Sequence, residues 1–169
     1  MKYTSAEAAK LLKKLNEERS NLLLCEQQAS VFVASLGEDP ESVRPAYDYA
    51  KVQAEIKAVE EKIIKVKHAI NVFNTTHKLP ELDMTVDEIL VYIPFLSDKK
   101  RKYSDMMNTL PKTRDSATYN RNSSIIDYSY ANYDIEAAKA DYEKTEAELT
   151  RAQLALDKLN TTETFDIEL

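Results

Sequence analysis

The stretch from Tyr49 to Phe73, YAKVQAEIKAVEEKIIKVKHAINVF, places apolar side chains at Tyr49, Val52, Ile56, Val59, Ile63, Val66, Ile70 and Phe73. The steps alternate between three and four residues without a break, filling the a and d positions of a heptad, which is the spacing of a helix packed lengthwise against another helix. Since 43% of the chain is apolar, a run of this length in one register arises by chance roughly once in a thousand. Such a seam specifies which faces pack; what the assembled object does has to be read from other residues.

Before this stretch, Thr4 and Glu7 have the spacing of a capping box, in which hydroxyl and carboxylate satisfy each other's orphan backbone donors. They predict a first helix over about 5–36, stopped by the left-handed conformation that Gly37 adopts without cost. Its seam is Ala8, Leu11, Leu15, Glu18, Leu22, Cys25, Ala29, Phe32 and Leu36, with Glu18 as the charged intruder. The second helix, about 45–74, opens near Pro45, since proline suits the first helical turn. Thr85 and Glu88 form a second capping box for a helix over about 85–110, which carries Ile89, Ile93, Leu96, Lys100, Tyr103, Met107 and Leu110. Pro94 inside it predicts a bend, and Pro111 ends it. The fourth helix, about 134–160, follows the N-cap candidate Asp134 with Ile135, Ala138, Tyr142, Thr145, Leu149, Ala152, Leu156 and Leu159 in register. After it, Phe165, Ile167 and Leu169 alternate like a short strand or clamp.

Between the third and fourth helices, about 112–133 is rich in Ser, Thr and Asn and holds Tyr119, Tyr128, Tyr130 and Tyr133. Alternation of Ile126, Tyr128 and Tyr130 suggests a short β-ribbon or extended arm, because aromatic and β-branched residues at period two favour strands. The expected fold is therefore all-α: one domain over 1–169, a long antiparallel coiled-coil-like four-helix bundle with this arm inserted. An isolated ribbon is marginal in water, so the arm is expected to pack either on a neighbouring subunit or on the first helix of its own chain.

Composition narrows the function classes. A single glycine leaves few tight turns and no glycine-rich phosphate loop. The net charge of -6 repels phosphate backbones, so nucleic acid is not an expected partner. No run reaches the roughly 18 apolar residues that span a bilayer, no apolar signal region follows Met1, and Cys25 has no internal disulfide partner. These features point to the cytoplasm.

Several segments resemble the septicolysin-like family of small, largely uncharacterised bacterial helical proteins. Ile70, Asn71, Val72, Phe73, Asn74 and Thr75 look like its Ile-Asn-x-x-Asn segment. Leu82 to Leu90, with Thr85, Asp87 and Leu90, looks like its Leu-Thr-Asp-Ala-Leu helix start. Tyr133, Asp134 and Ile135, and Asn160 to Glu163, resemble two further segments. The sequence departs from the family pattern at Val91 to Pro94 and at Ile125 to Asp127. The family name implies a cytolysin, and no catalytic residue carries over.

Catalytic candidates are thin. His68 sits at an outward heptad position and His77 in a polar turn, both read as solvated. Cys25 on the first seam reads as a small hydrophobe with no base beside it. Neither histidine has a glutamate three residues before it, as a di-iron bundle requires. No metal, cofactor, small-molecule substrate or enzymatic activity is expected. Glu18, Lys100 and Thr145 fall at similar depths along their helices and suggest a register-setting polar layer, the alternative being that the charges reach solvent. The end of the first helix is apolar on more than one side, with Leu23, Leu24, Val31, Phe32 and Val33; together with Tyr119, Ile126, Tyr128 and Tyr130 it reads as a self-association surface. The expected function is a non-enzymatic homo-oligomeric scaffold or interaction module. The alternative is a membrane-active, cytolysin-like protein, although the acidic chain lacks the basic polar face that anionic lipids attract, so a membrane is not an expected partner.

Overall fold

The computed structural model describes residues 1–114 and 127–169, which are mostly helical with a few short strands. The chain order is β1 (Lys2–Thr4), α1 (Ser5–Ala29), α2 (Pro40–Val43), α3 (Tyr49–Thr76), β2 (Lys78–Leu79), β3 (Met84–Thr85), α4 (Val86–Met107), β4 (Lys112–Arg114), β5 (Tyr128–Tyr130), α5 (Ile135–Thr162) and β6 (Thr164–Asp166). Two compact units emerge: Met1–His77 together with Lys158–Leu169, and Lys78–Asp157.

In the first unit α1 and α3 pack antiparallel. Arg19 Nε donates to Glu60 Oε1 at 2.8 Å, and further along α1 Gln53 Nε2 donates to Glu26 at 2.5 Å. The seam read from α3 is the one that is buried: Ile56, Val59, Ile63, Val66 and Phe73 lie in the interior, Val52 and Ile70 are half-buried, and only Tyr49 at its start is exposed. Ala8 and Leu15 of α1 meet Val59, Ile63 and Val66, and Ile167 joins the same cluster from the far end of the sequence. It gets there through β6, which pairs antiparallel with β1 in the register Lys2 with Asp166, Tyr3 with Phe165 and Thr4 with Thr164. Alternation along an extended chain then puts Phe165 and Ile167 on the core side.

The second unit contains β2 and β3, joined by a turn in which Asp83 adopts φ 50°, a conformation that Asp tolerates better than most residues. Its core joins Leu96 of α4 to Leu149 and Ala152 of α5, with Leu82, Tyr92 and Ile93 against them. The expected arm begins and ends as an antiparallel ribbon, β4 on β5, in which Lys112 pairs with Tyr130 and Arg114 with Tyr128. Tyr119 and Ile126 lie outside the described residues.

Helix starts follow the sequence signals. Both capping boxes form, with Glu7 N donating to Thr4 Oγ1 and Glu88 N to Thr85 Oγ1, each at 3.2 Å, and Asp134 accepts from Glu136 N at 2.9 Å. Two boundaries are corrected. The first helix ends at Ala29 instead of 36, because Glu26 already faces Gln53 and a longer α1 would run past the start of α3 with nothing to bury its apolar residues. Val31 and Val33, being β-branched, add little helix propensity of their own. Gly37 does adopt a left-handed φ of 91°, but in the turn before α2. The second long helix starts at Tyr49 and not near Pro45, with the Asp48 side chain accepting from Lys51 N at 3.1 Å.

Leu15→Ala and Leu96→Ala are each expected to lower unfolding free energy by about 2–5 kcal/mol, and Thr4→Ala by about 1 kcal/mol. Val91→Ala, at an exposed position, should change it by less than about 0.5 kcal/mol. Urea denaturation followed by circular dichroism measures all four.

Candidate functional site

The pairing of β6 with β1 brings Phe165 against the C-terminal half of α3. Phe165 stacks on Phe73 with ring centroids 4.6 Å apart, and Phe73 stacks on His77 at 4.0 Å. Phe73 is buried while Phe165 and His77 are half-exposed, so the column of rings shows its two ends to solvent. Beside it lies an open hollow of about 500 Å³ lined by Lys65, His68, Val72, Phe165, Asp166 and Glu168, among others. Lys65, His68 and Val72 recur at helical spacing and share one face of α3. Both histidines of the chain line this hollow. His68 is exposed, as its heptad position predicts. His77 departs from the solvated reading: it caps α3, its backbone N–H donating to Phe73 O at 2.9 Å, and its ring packs on Phe73. A residue in a polar turn carries no sequence signal that a phenylalanine one helical turn earlier will stack on it.

A second hollow of about 460 Å³ lies at the other end of the α1–α3 pair, between Leu22, Cys25 and Ala29 of α1 and Tyr47, Lys51 and Val52. Glu26 organises it, accepting from Tyr47 OH at 2.9 Å and from Gln53. Partial burial, then the Glu26 carboxylate, raise the Tyr47 phenol above its usual value. Cys25 is exposed here instead of buried on a seam.

The residues read as a polar layer belong to both units. Glu18 is exposed in the first unit, beside Lys14 and Glu17. In the second unit Thr145 is buried, and Lys100 reaches Glu146 at 2.8 Å while lying 5.8 Å from the centre of the Tyr142 ring. A hydrogen-bonded ion pair raises Lys100 and lowers Glu146 relative to their ordinary values. Nearby, Tyr92 OH donates to Glu148 at 2.6 Å, which holds the phenol protonated to higher pH. Arg151 donates to the Glu81 carbonyl and ties α5 to the turn before β3.

Among the residues read as a self-association surface, Leu23, Leu24, Val31, Val33, Tyr128 and Tyr130 are exposed, and Phe32 is half-buried beneath the Arg44 guanidinium at 5.5 Å. Tyr128 and Tyr130 share one face of the ribbon, and the Lys112 ammonium sits over both rings, at 4.1 and 5.4 Å. Tyr133 OH donates to Met106 O at 2.9 Å and anchors the ribbon's return to α4. No group of His, Cys, Asp and Glu among the described residues is arranged to hold a metal ion, and no described helix is long and apolar enough to cross a membrane.

Neither a protein-family model nor a curated protein matches the sequence. The fold is similar to the crystal structure of a functionally unknown conserved protein from Corynebacterium diphtheriae, with a TM-score of 0.59 and 18% identity over 98% of this chain and 100% of that one. At that identity the likeness concerns the fold alone.

The ion pair sets a pH response. Glu146 is held below the ordinary glutamate value of 4.5, first by its bond to Lys100, and Glu88 likewise by the Thr85 backbone donor. Each therefore adds stability that is present above pH 4.5 and lost as pH falls through the lowered folded value. The urea midpoint is expected to be flat from about pH 5 to 7 and to fall below about pH 4.5, and Lys100→Ala should make that fall shallower. Tyr92 and Lys100 act with the opposite sign, adding stability that is lost as pH rises through their raised folded values.

Proposed function

We propose that this chain is a non-enzymatic helical interaction protein that assembles with copies of itself through the apolar end of α1 and the segment after it. The observation that carries the reading is exposure. Leu24, Val31, Val33 and Leu36 are each more than half exposed within a short stretch, and contiguous apolar surface of that kind marks an interaction site more often than a solvated one. The cause is visible in the fold. α1 ends at Ala29, so the residues from Val31 to Leu36 belong to no helix or strand that covers them. The exposed tyrosine face of the β4–β5 ribbon is a second candidate contact, since tyrosine supplies large contact area at low entropic cost. A coiled-coil-like four-helix architecture, kinship with septicolysin-like proteins and a cytoplasmic location belong to the same reading. It is supported by the heptad spacing, the segments quoted for the resemblance and the acidic charge.

Light scattering on a size-exclusion column tests it. The expected mass is a multiple of the 19.3 kDa chain that persists on dilution. Leu24→Glu with Val33→Glu should return the protein to a single-chain mass with unchanged far-ultraviolet circular dichroism, because both side chains are already exposed. A single-chain mass for the unaltered protein at every concentration overturns the reading. The membrane-active alternative implied by the family name predicts dye release from liposomes, and the interaction reading predicts none.

A further inference from the structure

We propose that two copies of this chain join through the outer edge of β5, pairing antiparallel about Ser129 so that their ribbons form one four-stranded sheet. This contact rests on the self-association reading above and gives the ribbon's part in it an edge and a register. Within the ribbon, Ala131 N–H donates to Pro111 O at 3.2 Å, and β4 pairs with β5 as Lys112 with Tyr130, Thr113 with Ser129 and Arg114 with Tyr128. Hydrogen-bonded pairs alternate with non-bonded ones along an antiparallel ladder. Thr113 and Ser129 therefore exchange the next bonds, and the backbone N–H and C=O of Tyr128 and Tyr130 point away from β4. Among the described residues these outward groups have no hydrogen-bond partner, and all three residues of β5 are exposed. An edge with free donors and acceptors is a template for a further strand.

The sequence of the edge decides the partner. Tyr128, Ser129 and Tyr130 read the same in both directions, so a two-fold axis at Ser129 sets Tyr128 opposite Tyr130 of the partner subunit, and Tyr130 opposite Tyr128 of the partner subunit. Each such pair exchanges two backbone bonds, which satisfies the outward groups of both tyrosines in both chains. The rings meet as well. Lys112 Nζ lies 4.1 Å from the Tyr128 ring centre and 5.4 Å from that of Tyr130, so both rings stand on one face, and cross-strand aromatic pairs stabilise a sheet. The other edge of the ribbon is unsuited to this. Symmetric pairing of β4 would set Lys112 opposite Arg114 of the partner subunit, like charges face to face, and lysine on an edge guards against strand addition. β5 carries no charge. A strand of three residues buries too little surface to hold two chains by itself, so it adds to the α1 contact as a second, tethered association.

Cysteine trapping tests the register. On the axis, Ser129 faces Ser129 of the partner subunit as a non-bonded pair with Cα atoms about 4.5 Å apart, within the reach of a disulfide. Thr113 shares that face of the ribbon but lies one strand further out, so the two copies of it stand about 14 Å apart, three strand spacings. With Cys25→Ser removing the native thiol, Ser129→Cys oxidised with diamide is expected to form a cross-linked dimer about tenfold faster than Thr113→Cys. Both positions are exposed, so chance collision would trap them equally. Tyr130→Pro removes an outward N–H that the ribbon itself does not use, and should bring the Ser129→Cys rate down to that of Thr113→Cys. Equal rates for the two cysteines, zero included, overturn the proposal, as does a Ser129→Cys rate that Tyr130→Pro leaves unchanged. The outcome is separable from that of the α1 contact. A multiple-chain mass with equal trapping rates removes the edge contact and leaves the α1 contact standing, whereas a single-chain mass with the tenfold ratio does the reverse.

Discussion

The first unit depends on the burial of one face of α3. Ile56, Val59, Ile63, Val66 and Phe73 all leave water, and full burial of each such side chain contributes about 1.5–3 kcal/mol. Every other element of that unit can be understood as a cover for this stripe. α1 supplies Ala8 and Leu15, and the C-terminal strand supplies Ile167. Antiparallel pairing follows from the need to match stripe to stripe over a length of several helical turns, with Arg19 and Glu60 marking the register at the edge. That surface pair adds little energy; its value is that it reports which residues stand level.

The two ends of the α1–α3 pair differ in character. At one end the strand pair β1–β6 closes over Phe73, building a column of rings beside an open hollow. At the other, α1 stops, and Leu24, Val31, Val33 and Leu36 remain in contact with water. A globular chain normally covers such residues with its own loops or with a partner. The α2 turn beside them is too short to do so, at four residues with none buried. The second unit joins α4 and α5 through an apolar cluster around Leu96, Leu149 and Ala152 and a polar flank of Tyr92 with Glu148 and Lys100 with Glu146.

Much of the local structure was legible in the residues. Thr4 with Glu7, Thr85 with Glu88 and Asp134 each open a helix where their spacing says they should, because capping is a transaction within a few residues. The α3 stripe was legible for the same reason, as a period that a single helix must obey. The alternation at Phe165 and Ile167 suggested a short strand or clamp, and that of Tyr128 and Tyr130 within the arm suggested a ribbon, and both segments pair as strands. The length of α1 was not legible, since its apolar pattern continues past Ala29. Nor was the environment of Cys25, which a heptad count puts on the seam and the structure leaves exposed.

The sequence by itself determined where helices begin, which face of α3 is apolar and that the chain is helical in class, because these rest on interactions between residues three or four apart. Only the tertiary structure decided where α1 stops, which strand β6 pairs with and what stands beside His77. Those outcomes depend on partners far away in the chain: Gln53 for Glu26, Tyr3 for Phe165, and Phe165 for Phe73. The candidate site belongs wholly to this second class. Its lining comes from α3 and from the chain in and after β6, about a hundred residues later, and no local rule of spacing connects Phe73 with Phe165 until β1 and β6 pair.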